Sequence, residues 1–146
     1  MGTESKALSP IFTMAHGLMD IVTRSQLNIL IQLAEADKHF ARVEREMIMR
    51  IARERNFPEE EVLQLIKNPQ PINTLGALSP EQKFDYLMSC IDLIFADHNV
   101  FESEVVFARN IAIKLGFKKS VIDYFIENYQ KKSREEFRRI ALTEYL

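Results

Sequence analysis

Ala36-Asp37-Lys38-His39-Phe40-Ala41-Arg42-Val43-Glu44 recurs sixty positions later as Ala96-Asp97-His98-Asn99-Val100-Phe101-Glu102-Ser103-Glu104. The correspondence extends on both sides without a gap. Leu27, Ile31 and Leu33 match Leu87, Ile91 and Leu93; Ile51, Ala52, Phe57 and Ile66 match Ile111, Ala112, Phe117 and Ile126. A chain that repeats itself at a fixed period must find one local fold that works twice, and that fold must bury its apolar face against its own copy.

The local fold is read from spacing. Met1 to Ser9 is polar, small and unpatterned, and reads as a disordered tail before a single domain over residues 10–146. Ser9-Pro10 opens a helix on which Ile11, Met14, Leu18, Ile21 and Val22 make an apolar stripe. Gly17 inside it costs about 1 kcal/mol relative to alanine. A second helix is expected from about Ser25 to Asp37, with Leu27, Leu30, Ile31 and Ala34 on one face. A third, from about Ala41 to Arg55, carries Met47, Ile48, Ile51 and Ala52. Its Glu46, Arg50 and Glu54 form i,i+4 pairs, so its arginines read as an ordinary solvated face and not as a phosphate site. Pro58 followed by Glu59, Glu60 and Glu61 starts the next helix, with Val62, Leu65 and Ile66 inward. The stretch from Asn68 to Gly76 holds two prolines and is the connector.

The second half repeats the plan. Ser79-Pro80-Glu81-Gln82 is a capping box that opens a helix to about Asp97, whose broad apolar face (Phe84, Leu87, Met88, Ile91, Ile94, Phe95) predicts the most buried helix of the chain. A helix from about Phe101 to Leu115 ends at Gly116 in the left-handed conformation. Ser120 to Tyr129 follows, then a capping box at Ser133-Arg134-Glu135-Glu136 opens a C-terminal helix, about 133–145. No strand alternation competes. The fold expected is an all-α bundle of about seven or eight helices, built from two pseudo-symmetric three-helix repeats over about 25–67 and about 80–130.

Composition excludes some functions. The formal net charge of -2 and a pI near 6.0 disfavour a nucleic-acid binder, which usually carries a basic stripe. No apolar run approaches the ~20 residues of a membrane span. No basic start followed by an apolar stretch points to secretion. Cys90 is the only cysteine, so no internal disulfide forms, and its apolar neighbours make it a small buried hydrophobe suited to a reducing cytoplasm.

The acids of the repeat carry the chemistry. Asp37 lies three residues after Ala34 and seven after Leu30; Glu44 lies three before Met47, four before Ile48 and seven before Ile51. Both therefore share the apolar stripe of their helices, and Asp97 and Glu104 repeat the placement. An inward carboxylate must find a partner. Free N–H groups of the turn, a basic side chain from the other half, or a bound cation would each serve, and turn capping is the simplest because it needs no ligand. All-oxygen ligation would select Ca²⁺, Mg²⁺ or Mn²⁺. A spacing of seven and no central glycine exclude an EF-hand. His39 and His98 are not equivalent in the repeat, and no other Cys or His stands at metal-ligand spacing, which disfavours a zinc site.

An Ala-Asp-x-x-hydrophobic-x-x-x-Glu turn, followed by Ile51-Ala52 with Asn56-Phe57 and by Ile111-Ala112 with Gly116-Phe117, resembles the TerB-like family, the tellurite-resistance helical domain also found beside J-domains in some co-chaperones. The resemblance covers roughly residues 25 to 130. It implies divalent-cation binding at Asp37, Glu44, Asp97 and Glu104, and membership of stress-response complexes. The family usually has glycine directly after the aspartate; Lys38 and His98 stand there in this chain, and side-chain-bearing residues reach a left-handed turn less easily.

The expected function is that of a non-enzymatic interaction module, with an unidentified protein partner and weak divalent-cation binding at the two acidic turns. The alternatives are a ligand-free, homodimeric helical scaffold and, behind it, a metal-dependent hydrolase. The last needs a base, an oxyanion donor and an open metal position, yet the chain has no nucleophile–base pair and no glycine-rich phosphate loop. Lys131, Lys132, Arg134, Arg138 and Arg139 make the C-terminal end basic, but Glu135, Glu136 and Glu144 among them indicate a plain solvated helix.

Overall fold

The computed structural model describes residues 10–38, 40–73 and 75–146, with side chains described from Ile21 onward. Among the described residues the chain is all-helical, with seven α-helices and no strand: α1 (Pro10–Ala34), α2 (Arg42–Glu54), α3 (Glu59–Lys67), α4 (Pro80–Ile94), α5 (Glu102–Leu115), α6 (Ser120–Glu127) and α7 (Arg134–Ile140), which runs into a π-helical turn (Ala141–Tyr145). Helix α1 packs on α2, α3, α4 and α5; α4 packs on α1, α5, α6 and the terminal turn. These two helices form the centre, and the others wrap them.

Central position explains their composition. Nine of the fifteen residues of α4 are buried, including Tyr86 and Leu93 off its main stripe, so the helix is enclosed on nearly every side. The second half of α1 is equally enclosed, with Leu27, Leu30, Ile31, Leu33 and Ala34 fully buried, so α4 does not stand alone as the most buried helix. Burial of each such aliphatic side chain contributes roughly 1.5–3 kcal/mol.

The two helices expected at the N-terminus are one. Nothing in Thr23-Arg24-Ser25 breaks a helix, and α1 runs through it without interruption. Ile21 is 64% exposed, so the expected apolar stripe does not continue inward there, although Val22 packs against the core. The rest of that stripe, and the N-terminal tail, lie outside the described side chains.

Polar side chains tie the wrapping helices to the centre. Buried Gln26 accepts from Arg55 Nη1 and donates to Ser89 Oγ at 3.0 Å and to Asp85 Oδ2 at 3.2 Å. Asp85 also receives Arg55 Nη2 at 2.7 Å and Arg134 Nη2 at 3.0 Å. Arg138 pairs with Glu81. The basic C-terminal segment is therefore not simply solvated: two of its arginines dock α7 onto α4. Asn28 clamps the connector by exchanging hydrogen bonds with the backbone of Gln70 at 2.9 and 3.0 Å. Both expected capping boxes form, with Ser79 Oγ accepting from Gln82 N and Ser133 Oγ accepting from Glu136 N, each at 3.1 Å.

The turns repeat in backbone detail. Lys38 (φ 65°) and His98 (φ 63°) are both left-handed, as are Asn56 (φ 56°) and Gly116 (φ 96°). Helices α2 and α5 close with the same pair of bonds, Phe57 N to Ala52 O at 2.8 Å and Phe117 N to Ala112 O at 2.9 Å. A left-handed conformation costs a residue with a Cβ roughly 1–2 kcal/mol. His98→Gly is expected to stabilise the protein by about 1 kcal/mol, and Gly116→Ala to destabilise it by about the same. Conformation alone causes the second effect, because a Cβ at Gly116 would meet nothing nearer than 3.8 Å. Urea denaturation of both variants checks the pair.

Candidate functional site

Helix α1 ends three residues before Asp37, and α4 three residues before Asp97. Both aspartates are half-buried in the turns that Lys38 and His98 reverse. The chain then enters α2 and α5, in which Glu44 and Glu104 are each the third residue. Their positions on the apolar stripe carry them inward: Glu44 is 1% exposed and Glu104 is fully buried.

The structure brings these two glutamates to each other. Their carboxyl groups are close enough to act on each other across the chain, and the charges of Asp37 and Asp97 act on both. The surroundings are unequal. Glu44 Oε1 accepts from the backbone N–H of Ala41 at 2.9 Å, half of a capping box whose other half is missing because alanine has no side-chain acceptor. Neither oxygen of Glu104 has a donor partner.

Two carboxylate oxygens are both acceptors, so only a proton or a cation between them makes the contact favourable. Burial first, then the nearby Glu44, raises Glu104 from 4.5 to about 9. Glu44 is raised as well, by burial, with the Ala41 N–H pulling the other way. Burial and mutual repulsion both favour the pair's keeping a proton, which would let one carboxyl group donate to the other.

Asp97 behaves as a turn residue. Asp97 Oδ1 accepts from Asn99 N at 3.1 Å, and Asn99 Nδ2 donates back to Asp97 O at 3.3 Å. His98 is exposed; His39 lies outside the described residues. Among the described residues, no group of three or more His, Cys, Asp or Glu side chains is arranged to hold a metal ion. No helix among them is long and apolar enough to cross a membrane. Cys90 is buried and its thiol is pushed up to about 12 by burial, which leaves it unreactive.

Comparison with protein-family models, curated proteins and solved structures returned no match.

Reading the sequence missed a second polar cluster. Asp92, between buried Ile91 and Leu93 on α4, is half-buried and accepts from Tyr129 Oη at 2.9 Å. The Tyr129 ring stacks on Phe95 with centroids 4.0 Å apart. The pair borders a groove of about 540 Å³ that also meets Arg50 and Arg53 of α2. The only signal in the sequence was an aspartate interrupting the densest apolar run. The expected pairing of Arg50 with Glu46 or Glu54 does not form, because Glu46 turns the other way, to Arg42 at 3.2 Å.

The carboxyl pair makes stability depend on pH with a defined sign. Glu104 keeps its proton to about pH 9 when folded and releases it near 4.5 when unfolded. The native state therefore binds more protons across that window, and stability falls as pH rises through it. Glu104→Gln keeps a donor toward Glu44 but cannot ionise. Its stability relative to the native protein is expected to improve by up to about 4 kcal/mol between pH 5 and pH 8, measured by urea melts at both.

Proposed function

We propose that the chain is a non-enzymatic TerB-like interaction module in which the paired acidic turns form one weak divalent-cation site shared by the two halves. The observation that carries the reading is Glu104: a fully buried carboxyl group whose two oxygens have no donor partner, facing Glu44. A hard cation is drawn to such a group, because all the nearby donors are oxygens. Glu44 and Glu104 would hold it directly, with Asp37 and Asp97 adding negative field from behind. Two direct carboxylates are few, which is why the proposed site is weak. Its role would be to cross-link α2 and α5.

Support for the two-repeat reading comes from features that recur at an offset of sixty residues. These are the left-handed residues after each aspartate, the closing bonds of α2 and α5, and the burial pattern of Leu27–Lys38 against Leu87–His98. The partner protein and the stress-response setting rest on the family resemblance.

A second reading is favoured by the proton itself. A carboxylic acid donating to a carboxylate satisfies the pair without any ion, and the module is then a ligand-free helical scaffold. Titration calorimetry and thermal melts with CaCl₂, MgCl₂ and MnCl₂ near pH 8 separate the two. The cation reading expects one ion per chain, not two. It also expects stabilisation of about 2.7 kcal/mol when the ion stands a hundredfold above its Kd, lost in Glu44→Gln/Glu104→Gln. No heat and no stabilisation from any of the three ions leaves the proton as the sole occupant.

A further inference from the structure

Arg24, Arg42, Arg55, Arg109, Arg134 and Arg138 each meet a carboxylate within ion-pair distance, and Arg45 lies over the Phe40 ring. Arg50, Arg53 and Arg139 have no carboxylate within ion-pair distance among the described residues, and of the three only Arg50 and Arg53 line a groove together. Three residues apart on α2, they project side by side from one face. They meet the same groove as Val43, Met47, Asp92 and Tyr129. Its far wall is pinned by the Tyr129–Asp92 hydrogen bond and the Tyr129–Phe95 stack.

The chain contains its own control. Val106, Phe107, Asn110 and Gln32 line a second groove, at positions sixty residues from Glu46, Met47, Arg50 and Asp92. Pro69 lines it where Tyr129 lines the first. Asn110 thus stands in place of Arg50, and the position matching Arg53 is Ile113, 54% exposed. The same kind of helix junction closes without those charges. Packing does not require the two arginines or the Asp–Tyr pair.

We infer that the groove between α2 and the end of α4 binds a small ligand with one oxyanion group, gripped by Arg50 and Arg53. Guanidinium groups match phosphate or carboxylate oxygens through paired N–H bonds, and a groove of about 540 Å³ lies in the size range of small-ligand sites. Val43 and Met47 offer an apolar floor to the uncharged part. The Arg50 charge also acts on Asp92 across the groove, so the ligand's one charged end lies on the arginine side, away from that carboxyl group. The inference does not depend on the cation reading, since none of the four acids of the turns lines the groove.

Titration of ¹⁵N-labelled protein followed by NMR tests it, with phenyl phosphate as probe, benzoate to compare a carboxylate source, and benzyl alcohol as the uncharged control. Saturable shifts are expected at the amides of 43–53 and 92–96 with phenyl phosphate, benzoate or both, and not with benzyl alcohol. Arg50→Gln/Arg53→Gln, at two exposed positions, should keep the native amide spectrum elsewhere and weaken binding at least tenfold. The inference is overturned by the absence of saturable shifts at millimolar probe. It is equally overturned if the shifts follow Lys131, Lys132 and Arg139 instead, or if the double variant titrates like the native protein.

Discussion

Two glutamates buried against each other cannot both be charged. That constraint governs the junction between the halves of this chain. The Glu44 and Glu104 side chains are out of water, close together, and within the field of Asp37 and Asp97. Something positive must sit between them: a proton, which burial and the neighbouring charges favour on Glu104, or a bound cation. The imbalance within the pair follows from the local backbone. Ala41 N–H stabilises charge on Glu44, whereas nothing donates to Glu104, so Glu104 is the one that keeps the proton.

The rest of the molecule holds that pair in place. Helices α1 and α4 supply the buried centre, and each delivers the chain into a left-handed reversal that aims the next helix back at it. Neither reversal uses glycine. The unfavourable φ at Lys38 and His98 is tolerated because apolar burial on either side outweighs a cost of about 1–2 kcal/mol each. Arg55, Gln26, Asp85 and Arg134 then lock the end of α2 and the start of α7 to the same centre, so a polar network adds to packing there.

Much of this was legible from spacing. The inward direction of Glu44 and Glu104 follows from their distance to Ile48, Ile51, Ala108 and Ile111 along the helix, and the capping boxes at Ser79 and Ser133 mark their helices to the residue. Other features depend on tertiary placement. Spacing set each glutamate toward its own turn beside its own aspartate. That the two glutamates would meet required knowing how the halves pack. Arg50 had two carboxylates at helical spacing and pairs with neither, because Glu46 prefers Arg42. A second helix was expected to begin at about Ser25, yet with no glycine or proline there the first helix continues through. Arg134 and Arg138 looked solvated because Asp85 and Glu81, their partners, are 49 and 57 residues away in the chain.

A buried carboxylic acid has a direct spectroscopic signature. Carbon-detected NMR of the glutamate side-chain carboxyls, followed from acid to alkaline pH, should show one resonance, lost in Glu104→Gln, that stays protonated through neutrality and titrates near 9. If every glutamate in the protein instead titrates around its ordinary value of about 4.3, the two side chains are solvated and apart, and the buried pair does not exist.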